Sequence, residues 1–241
     1  ALPLRRNVQS QVAFAGGEMS QSFDHQVAAA ETDFRAKLDE GPKRLRWSTV
    51  PVQIGDKAPN IELDVASGGR TSIATFWAER PLVIMFWRHF GCGCGMDRAQ
   101  RLSTERPAYA EVGANVVIVG QGEPARAVEY ARKYEIVEPI LCDPTYSAYE
   151  AYGVLEGTRA QLVFDAPDEY LRGEESAWLG LIESRRGAGR PLVDNPWQLP
   201  AEFVIDTTGV IRLAYRYQYC DDFPDHRVLL SAVKEAQWVV G

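Results

Sequence analysis

The sequence has no excess of positive charge and no long apolar run. Lys and Arg number 26 against 33 Asp and Glu, which gives a formal net charge of -7. No basic stripe is available to displace counterions from phosphates, so we expect no nucleic-acid partner. No apolar run approaches the ~20 residues that cross a bilayer. We therefore expect a soluble protein that does not span a membrane.

Cysteine is also scarce. The 241 residues include four cysteines, which are too few to hold a disulfide-rich scaffold together. Two of them, Cys92 and Cys94, are nevertheless separated only by Gly93. This spacing needs a chemical explanation more than a structural one.

Acidic residues are absent from the first 17 positions, which begin with Ala1 and include Arg5 and Arg6. The segment has no apolar core of the kind that a secretory signal carries. It is compatible with the end of a processed targeting segment or with an ordinary terminus. The compartment, cytoplasmic or organellar, therefore stays open.

What is present is an ordinary globular composition, 46% hydrophobic and 24% charged, which favours one large domain with extensions. From about residue 21 to 45, apolar residues recur at spacings of three and four, which predicts a helix that stops at Gly41 and Pro42. We interpret residues 1–53 as a mostly helical N-terminal extension that lies on the main domain. The alternative is a partner-binding helix.

From residue 54 to 241 the pattern alternates between strands and helices. Pro81 to Trp87 is continuously apolar, as expected of a central strand that is buried on both faces. Further strand candidates lie at 61–63, 115–119, 139–141, 203–205 and 210–215, with helices at 96–111, 124–134, 145–152 and 225–238. The order predicts an α/β domain of three α/β/α layers around a mixed sheet, with a C-terminal hairpin.

The stretch from about 155 to 199 does not follow this alternation. It is rich in Gly, Arg and acidic residues and contains Trp178 and Trp197. A connection of this length is usually functional or an added feature, so we interpret it as a long insertion before the hairpin.

The candidate site lies where the apolar strand ends, in the segment from Phe86 to Met96. Ligands bind at the carboxyl edge of open α/β sheets, and the next helix begins near Gly93 to Met96. Both sulfurs then lie at the helix N-terminus, where the dipole favours a thiolate. Such positions lower the pKa of a cysteine from about 8.5 to roughly 3.5–7.5. Arg88 and His89 are expected to add positive charge.

Four segments resemble blocks of the alkyl hydroperoxide reductase and thiol-specific antioxidant superfamily, in particular its peroxiredoxin-like branch. They are Gly55 to Leu63, Leu82 to Cys92, Asp143 to Gly153, and Phe203 to Arg212. The resemblance implies a thioredoxin-like fold that carries redox cysteines on the loop before a major helix. It also implies a thiol reductant such as a thioredoxin or glutathione system, and a homodimer or larger assembly as the state of the protein. No cofactor is implied.

Two more site residues follow from this resemblance. Pro200 matches the position of a cis-proline that faces the cysteine loop, although cis bonds are found at only about 5–6% of X–Pro bonds. Arg216, at the end of the hairpin, matches an arginine beside the site, and its alternative interpretation is a solvated arginine at the sheet edge.

The cysteine spacing departs from the family pattern. The peroxiredoxin-like branch usually has two residues between its cysteines, and here only Gly93 separates them. A disulfide across so short a ring is expected to be strained and oxidising, which favours an exchange or oxidase-like role over that of a reductase. In the mechanism that we expect, Cys92 attacks and Cys94 resolves, or the two roles are reversed.

The other two cysteines have different settings. Cys142 ends an apolar segment and is expected to be a buried, inert thiol. Cys220 lies in a polar loop, where it could resolve an oxidised Cys92, although the flanking acids would raise its pKa.

Two hypotheses compete with thiol redox chemistry. In the first, the chain is a non-catalytic thioredoxin-fold scaffold that docks onto a larger complex, with Trp178 and Trp197 as candidate contacts, although core packing is favoured for either one. In the second, Cys92, Cys94 and His89 bind a soft metal ion. The two other histidines lack ligand spacing, so we expect no metal site.

Overall fold

The architecture is a seven-stranded mixed sheet in the order β2-β1-β5-β4-β3-β6-β7. It comes from a computed structural model, which describes residues 9–162, 172 and 174–238. The strands are β1 (Glu62–Val65), β2 (Arg70–Ser72), β3 (Leu82–Phe86), β4 (Asn115–Gly120), β5 (Ile140–Cys142), β6 (Ala201–Ile205) and β7 (Ile211–Arg216).

The helices that flank this sheet are α1 (Gln9–Glu40), α2 (Gly93–Glu111), α3 (Pro124–Lys133), α4 (Ser147–Ala151), α5 (Arg159–Leu162), α6 (Glu175–Gly187) and α7 (His226–Trp238). A 3-10 turn covers Ile73–Phe76. Within the described part of the chain, no helix has the length and apolar character needed to cross a membrane.

The central strand β3 divides the core into two halves. It runs parallel to β4 and antiparallel to β6, and all five of its residues are buried. Because side chains alternate along a strand, Val83 and Met85 pack with α2, α3 and α7. Ile84 and Phe86 pack on the opposite face with α4. The predicted arrangement of helices on both faces of a mixed sheet is confirmed.

Helix α1 packs on the 155–199 stretch. Its apolar positions Phe34 and Leu38 are buried, as the helical spacing predicts, and Gly41 ends the helix with a φ of 79°. Phe34 and Leu38 form a small core with four residues of the 155–199 stretch: Leu162, Leu192, Trp197 and Leu199. Glu31 adds an ion pair to Arg186 at 2.7 Å.

Trp197 is therefore a core residue and not a docking contact. Its side chain is 4% exposed, and its indole N–H donates to the carbonyl of Lys37 at 2.6 Å. Core packing, the role favoured for this residue by the sequence, is found here because α1 covers the indole. The side chain of Trp178 lies outside the described residues.

Three elements had no recognisable signal in the sequence. Strand β2 is polar along its whole length and forms only by pairing with β1. Helices α5 and α6 lie within the 155–199 stretch, whose sequence does not follow the alternation of strands and helices. Their positions depend on packing with α1 and the site loop, which a local pattern does not encode.

Arg216 makes its hydrogen bonds with backbone carbonyls, and its expected role beside the site stays a prediction. In the sheet register it pairs with Ala201 and shares that residue's face, opposite to α2. Its guanidinium donates to the carbonyls of Tyr152 at 2.7 Å and Val52 at 2.6 Å, and it covers the ring of Phe203. Burial lowers its pKa from the usual value. Because it is half-buried and bound to two carbonyls, it is not a solvated edge residue.

We predict that Arg216→Leu lowers the free energy of unfolding by about 1.5–3 kcal/mol, the range for hydrogen bonds to a charged group. The cause is the loss of donors to two carbonyls that hold the 47–52 segment and α4 to the hairpin. Urea unfolding of the two proteins measures the change in the free energy of unfolding. Arg227→Leu is the matched control, because its exposed side chain is 79% accessible and pairs only at the surface. Equal effects of the two variants would contradict this role.

Candidate functional site

The chain leaves β3 at Phe86 and enters α2 at Gly93, with Cys92 as the N-terminal cap. Cys92 has an extended backbone (φ -70°, ψ 138°), and its N–H donates to the carbonyl of His89 at 3.1 Å. Its side chain makes no capping hydrogen bond. Both sulfurs therefore lie at the N-terminus of α2, as the sequence predicts.

Cys92 and Cys94 are joined in a disulfide, with their Cα atoms 5.4 Å apart. The two sulfurs differ in access, because Cys92 is only 7% exposed whereas Cys94 is partly exposed. Gly91 permits the close packing of this loop, since a Cβ there would lie 1.8 Å from the carbonyl oxygen of Pro191. The loop is thus enclosed by the 155–199 stretch on one side and open at Cys94 on the other.

Arg88 is the charged group nearest to the sulfurs. Its Nη1 lies 3.0 Å from Sγ of Cys92 and 4.0 Å from Sγ of Cys94. The rest of the guanidinium donates to the carbonyls of Gln198 at 3.0 Å and Pro196 at 2.5 Å. Burial lowers the pKa of Arg88 to about 10. Among the described residues, its partners include no carboxylate.

His89 does not supply the positive charge that was expected. Burial is the main cause that holds its pKa well below the usual 6.5, and the side chain is 5% exposed. Four arginines reinforce this shift: Arg88, Arg185, Arg190 and Arg126. Nδ1 of His89 accepts a hydrogen bond from the N–H of Gly91 at 3.2 Å, and its ring packs edge-on against Phe34. The neutral imidazole therefore supports the conformation of the loop through these contacts and adds no positive charge to it.

A narrow cleft opens on the α2 side of the loop and gives access to Cys94. Its other lining residues are Trp87, Arg88, Gly95, Arg98, Pro200, Tyr217, Cys220 and Phe223. Cys92 is not among them. The cleft brings Cys94, Arg88 and Pro200 together, as predicted, and adds Cys220 from the loop after the hairpin.

The Leu199–Pro200 bond is trans, so the prediction of a cis-proline was wrong. The chain before Pro200 is fixed in an extended path, because the N–H of Leu199 donates to the carbonyl of Leu155 at 3.1 Å. The carbonyls of Pro196 and Gln198 point to Arg88. This path leads into β6 with the trans isomer, which is favoured by about 0.5–1 kcal/mol.

A buried ion pair forms the base of the cleft, which sequence reasoning missed. Arg98, one turn after Cys94 on α2, donates to Glu202 at 2.6 Å, and Glu105 lies 2.9 Å from the same guanidinium. The hydroxyl of Tyr217 donates to Glu202 at 2.7 Å. Burial alone would lower the pKa of Arg98, but the two glutamates raise it well above the usual value. The feature of the sequence that could have indicated this ion pair is Glu202, a charged residue inside the otherwise apolar strand β6.

Cys142 is the buried thiol that the sequence predicts. It is 2% exposed, and burial raises its pKa to about 12, with the charge of Asp64 as a second cause. Within the described ranges, no three His, Cys, Asp or Glu side chains are grouped so as to hold a metal ion. At the loop itself, Nδ1 of His89 is already occupied by the N–H of Gly91.

We predict that His89 makes stability fall in mild acid. Its folded pKa lies below its unfolded pKa of about 6.5, so the unfolded chain binds the extra proton, and about 1.4 kcal/mol per pH unit is lost below that pH. Unfolding free energies at pH 7 and pH 5 measure the slope. His89→Asn should flatten it, whereas surface His226→Asn should leave it unchanged. An unaltered slope in His89→Asn would contradict a neutral His89.

The chain resembles proteins of one redox family. The family model described as AhpC/TSA matches residues 54–214. The chloroplastic thioredoxin-like protein AAED1 of Arabidopsis thaliana is 25% identical over 127 residues. That match covers 51% of this chain and 51% of the relative, so the chain spans about half the length of the curated relative that it matches.

Solved structures share the fold at low identity. Peroxidoxin BcpB from Mycobacterium tuberculosis matches with a TM-score of 0.55 and 16% identity, over 76% of this chain and 97% of that chain. The yeast mitochondrial 1-Cys peroxiredoxin, whose thiol resolving involves glutathione/thioredoxin systems, matches with a TM-score of 0.54 and 13% identity. That match covers 78% of each chain. At such identities these structures support the thioredoxin-like fold, and the matched family model makes this chain a member of the AhpC/TSA family.

Proposed function

We propose that this chain is a thiol–disulfide exchange protein in which Cys94 is the sulfur that is attacked and Cys92 is the sulfur that leaves. The observation that carries this proposal is the contact between buried Arg88 and Sγ of Cys92 at 3.0 Å. Of the two assignments that the sequence leaves open, access favours the one in which Cys94 meets the external thiol.

The difference in access sets the direction of attack. An incoming thiolate must approach a disulfide sulfur directly, and only Cys94 lines the open cleft. Cys92 is enclosed by Arg88 and by the Gly91–Pro191 contact. Attack on Cys94 therefore needs no opening of the loop, whereas attack on Cys92 does.

The electrostatics favour departure of Cys92. When an external thiolate bonds to Sγ of Cys94, the S–S bond breaks and its electron pair stays on Sγ of Cys92. That thiolate forms 3.0 Å from a guanidinium that has no described carboxylate partner. Low-pKa thiols leave faster, and hydrogen bonds between ionised groups are stronger than neutral ones. Arg88 thus stabilises the leaving group.

The second half of the reaction completes the electron balance. A second external thiolate attacks the partner sulfur of the mixed disulfide, which releases an external disulfide and leaves Cys94 reduced. Overall, two external thiols are oxidised and the Cys92–Cys94 disulfide is reduced. Because Arg88 gains an anionic partner only in the reduced state, we infer that the pair acts preferentially as an oxidant.

The thiol partners follow from the shape of the site. The cleft beside Cys94 encloses only about 10 Å³, room for about one water molecule and far below the ~300–1,000 Å³ of drug-sized pockets. An external thiol must therefore meet Cys94 from its partly exposed side, where a small thiol such as glutathione needs less room than a folded protein. The yeast structural neighbour, which resolves through glutathione/thioredoxin systems, gives further support for a thiol partner of this class.

Peroxide reduction is a second candidate, supported by family membership and by the same Arg88 contact. In that reaction the Cys92 thiolate attacks a peroxide oxygen, an alcohol or water leaves, and Cys94 condenses with the sulfenic acid and releases water. The 7% exposure of Cys92 argues against this order of events. A non-catalytic scaffold would not explain a buried cation aimed at one sulfur.

We predict that Cys92→Ser and Cys94→Ser each reduce turnover of a reduced peptide with glutathione disulfide to the uncatalysed background. The two variants should differ in the mixed disulfide that they form with glutathione, because Cys94 is the partly exposed cysteine of the loop. Mass spectrometry of Cys92→Ser/Cys220→Ser, which also lacks the other thiol of the cleft, should show a stable glutathione adduct on Cys94. Cys142→Ser is the control and should retain turnover. A glutathione adduct that accumulates on Cys92 in Cys94→Ser would reverse the assignment.

We predict that Arg88→Met lowers the reduction potential of the pair by about 30–60 mV, which corresponds to the ~1.5–3 kcal/mol of a hydrogen bond to a charged group. The reason is the loss of the cation that stabilises the Cys92 thiolate. Equilibration with glutathione measures the shift. Arg88→Lys keeps a charge, so its reduction potential should lie between those of Arg88→Met and the wild type. The surface variant Arg132→Met should have the reduction potential of the wild type. An unchanged potential in Arg88→Met would refute the role of Arg88.

A further inference from the structure

Cys220 lies in the same cleft as Cys94. Both residues line it, together with Arg88, whereas Cys92 does not. Of the two sulfurs of the disulfide, Cys94 is therefore the one that shares a cleft with Cys220. The sequence suggests Cys220 as a partner for Cys92, whereas the lining of the cleft favours Cys94.

The loop that carries Cys220 is anchored on both sides of the cysteine. The N–H of Cys220 donates to the carbonyl of Gln161 at 2.9 Å, and the N–H of Gln218 donates to the carboxylate of Asp222 at 2.9 Å. The aromatic rings of Tyr217 and Phe223 contact one another and line the cleft. The fold thus holds Cys220 in the lining of the cleft.

Two charges act on the Cys220 sulfur in opposite directions. The thiol lies 3.9 Å from the carboxylate of Asp221, which disfavours its ionisation. Arg88 acts the other way, since a negative charge on Cys220 raises the pKa of Arg88. One guanidinium therefore interacts electrostatically with all three cysteine sulfurs of this region.

We propose that Cys220 is a third redox thiol, which exchanges with the Cys92–Cys94 disulfide to form a Cys94–Cys220 disulfide. This inference rests on the proposed function, in which Cys94 is the sulfur attacked. The Cys220 thiolate bonds to Sγ of Cys94, the Cys92–Cys94 bond breaks, and the electron pair remains on Cys92 beside Arg88. The proton of the Cys220 thiol goes to solvent. The step is an isomerisation, so it needs no external oxidant.

The exchange would change which thiols the protein can oxidise. The cleft is too small for a second polypeptide to reach Cys94 through it, but Cys220 is partly exposed in a loop whose preceding residues, Gln218 and Tyr219, are exposed. A Cys94–Cys220 disulfide would therefore offer a sulfur of this exposed loop to a protein thiol. The substrate class inferred for this path is the exposed thiol of a protein or peptide.

The test compares two variants that each leave one cysteine of the loop with Cys220. Reduced Cys92→Ser and Cys94→Ser are oxidised with diamide, quenched in acid and mapped as non-reduced peptides. We expect an intramolecular Cys94–Cys220 link in most molecules of Cys92→Ser and at least tenfold less Cys92–Cys220 link in Cys94→Ser. The double variant Cys92→Ser/Cys220→Ser should lose the link, and Cys92→Ser/Cys142→Ser should keep it. Equal linking in both single variants, or none in Cys92→Ser, would overturn the proposal.

A measurement on the wild type covers the case in which a variant does not fold. The oxidised wild-type chain, equilibrated at pH 8 and quenched in acid, should yield a Cys94–Cys220 peptide besides the Cys92–Cys94 peptide. Its absence would overturn the third-thiol proposal. Glutathione exchange by the same wild-type sample tests the proposed function separately, so that retained exchange without the Cys94–Cys220 peptide would refute only the role of Cys220.

Discussion

Arg88 is a buried cation bound to two backbone carbonyls and to a sulfur, and the rest of the site is arranged around it. Moving a charge out of water is costly unless an opposite charge compensates it. The other buried arginines of the described structure have that compensation, Arg98 from Glu202 and Arg126 from Asp194. Arg88 has the Cys92 sulfur in that position. Under the proposed function, this position holds an anion when the disulfide is reduced and Cys92 is a thiolate.

The sheet and the 155–199 stretch together create this arrangement. Strand β3 brings Arg88 and the cysteine loop to one edge of the sheet, and α2 begins there at Gly93, so that both sulfurs lie at its N-terminus. The carbonyls of Pro196 and Gln198 fix the guanidinium from the opposite side. Helix α1 then covers the stretch through Phe34, which also contacts His89. Parts of the chain that look like additions in the sequence thus enclose one side of the redox loop.

Local patterns predicted the central strand, the four helices of the alternating region and the place of the sulfurs at a helix N-terminus, because these features depend on short-range periodicity. The same patterns could not predict the neutral state of His89, which depends on burial and on arginines distant in sequence. Nor could they place Arg216, whose face is set by its register with Ala201. Family resemblance suggested a cis bond at Pro200, but contacts specific to this chain hold that segment in another path.

The central claim is that the reduced protein keeps Cys92 as a thiolate beside Arg88 at neutral pH. The most direct measurement is the ultraviolet thiolate absorbance of the reduced chain as a function of pH, with Cys142 and Cys220 replaced by serine. The account predicts one thiolate per chain at pH 7, and it predicts that this absorbance disappears when Cys92 is also replaced. An absorbance that appears only near the pH of about 8.5 at which an ordinary cysteine ionises would contradict it.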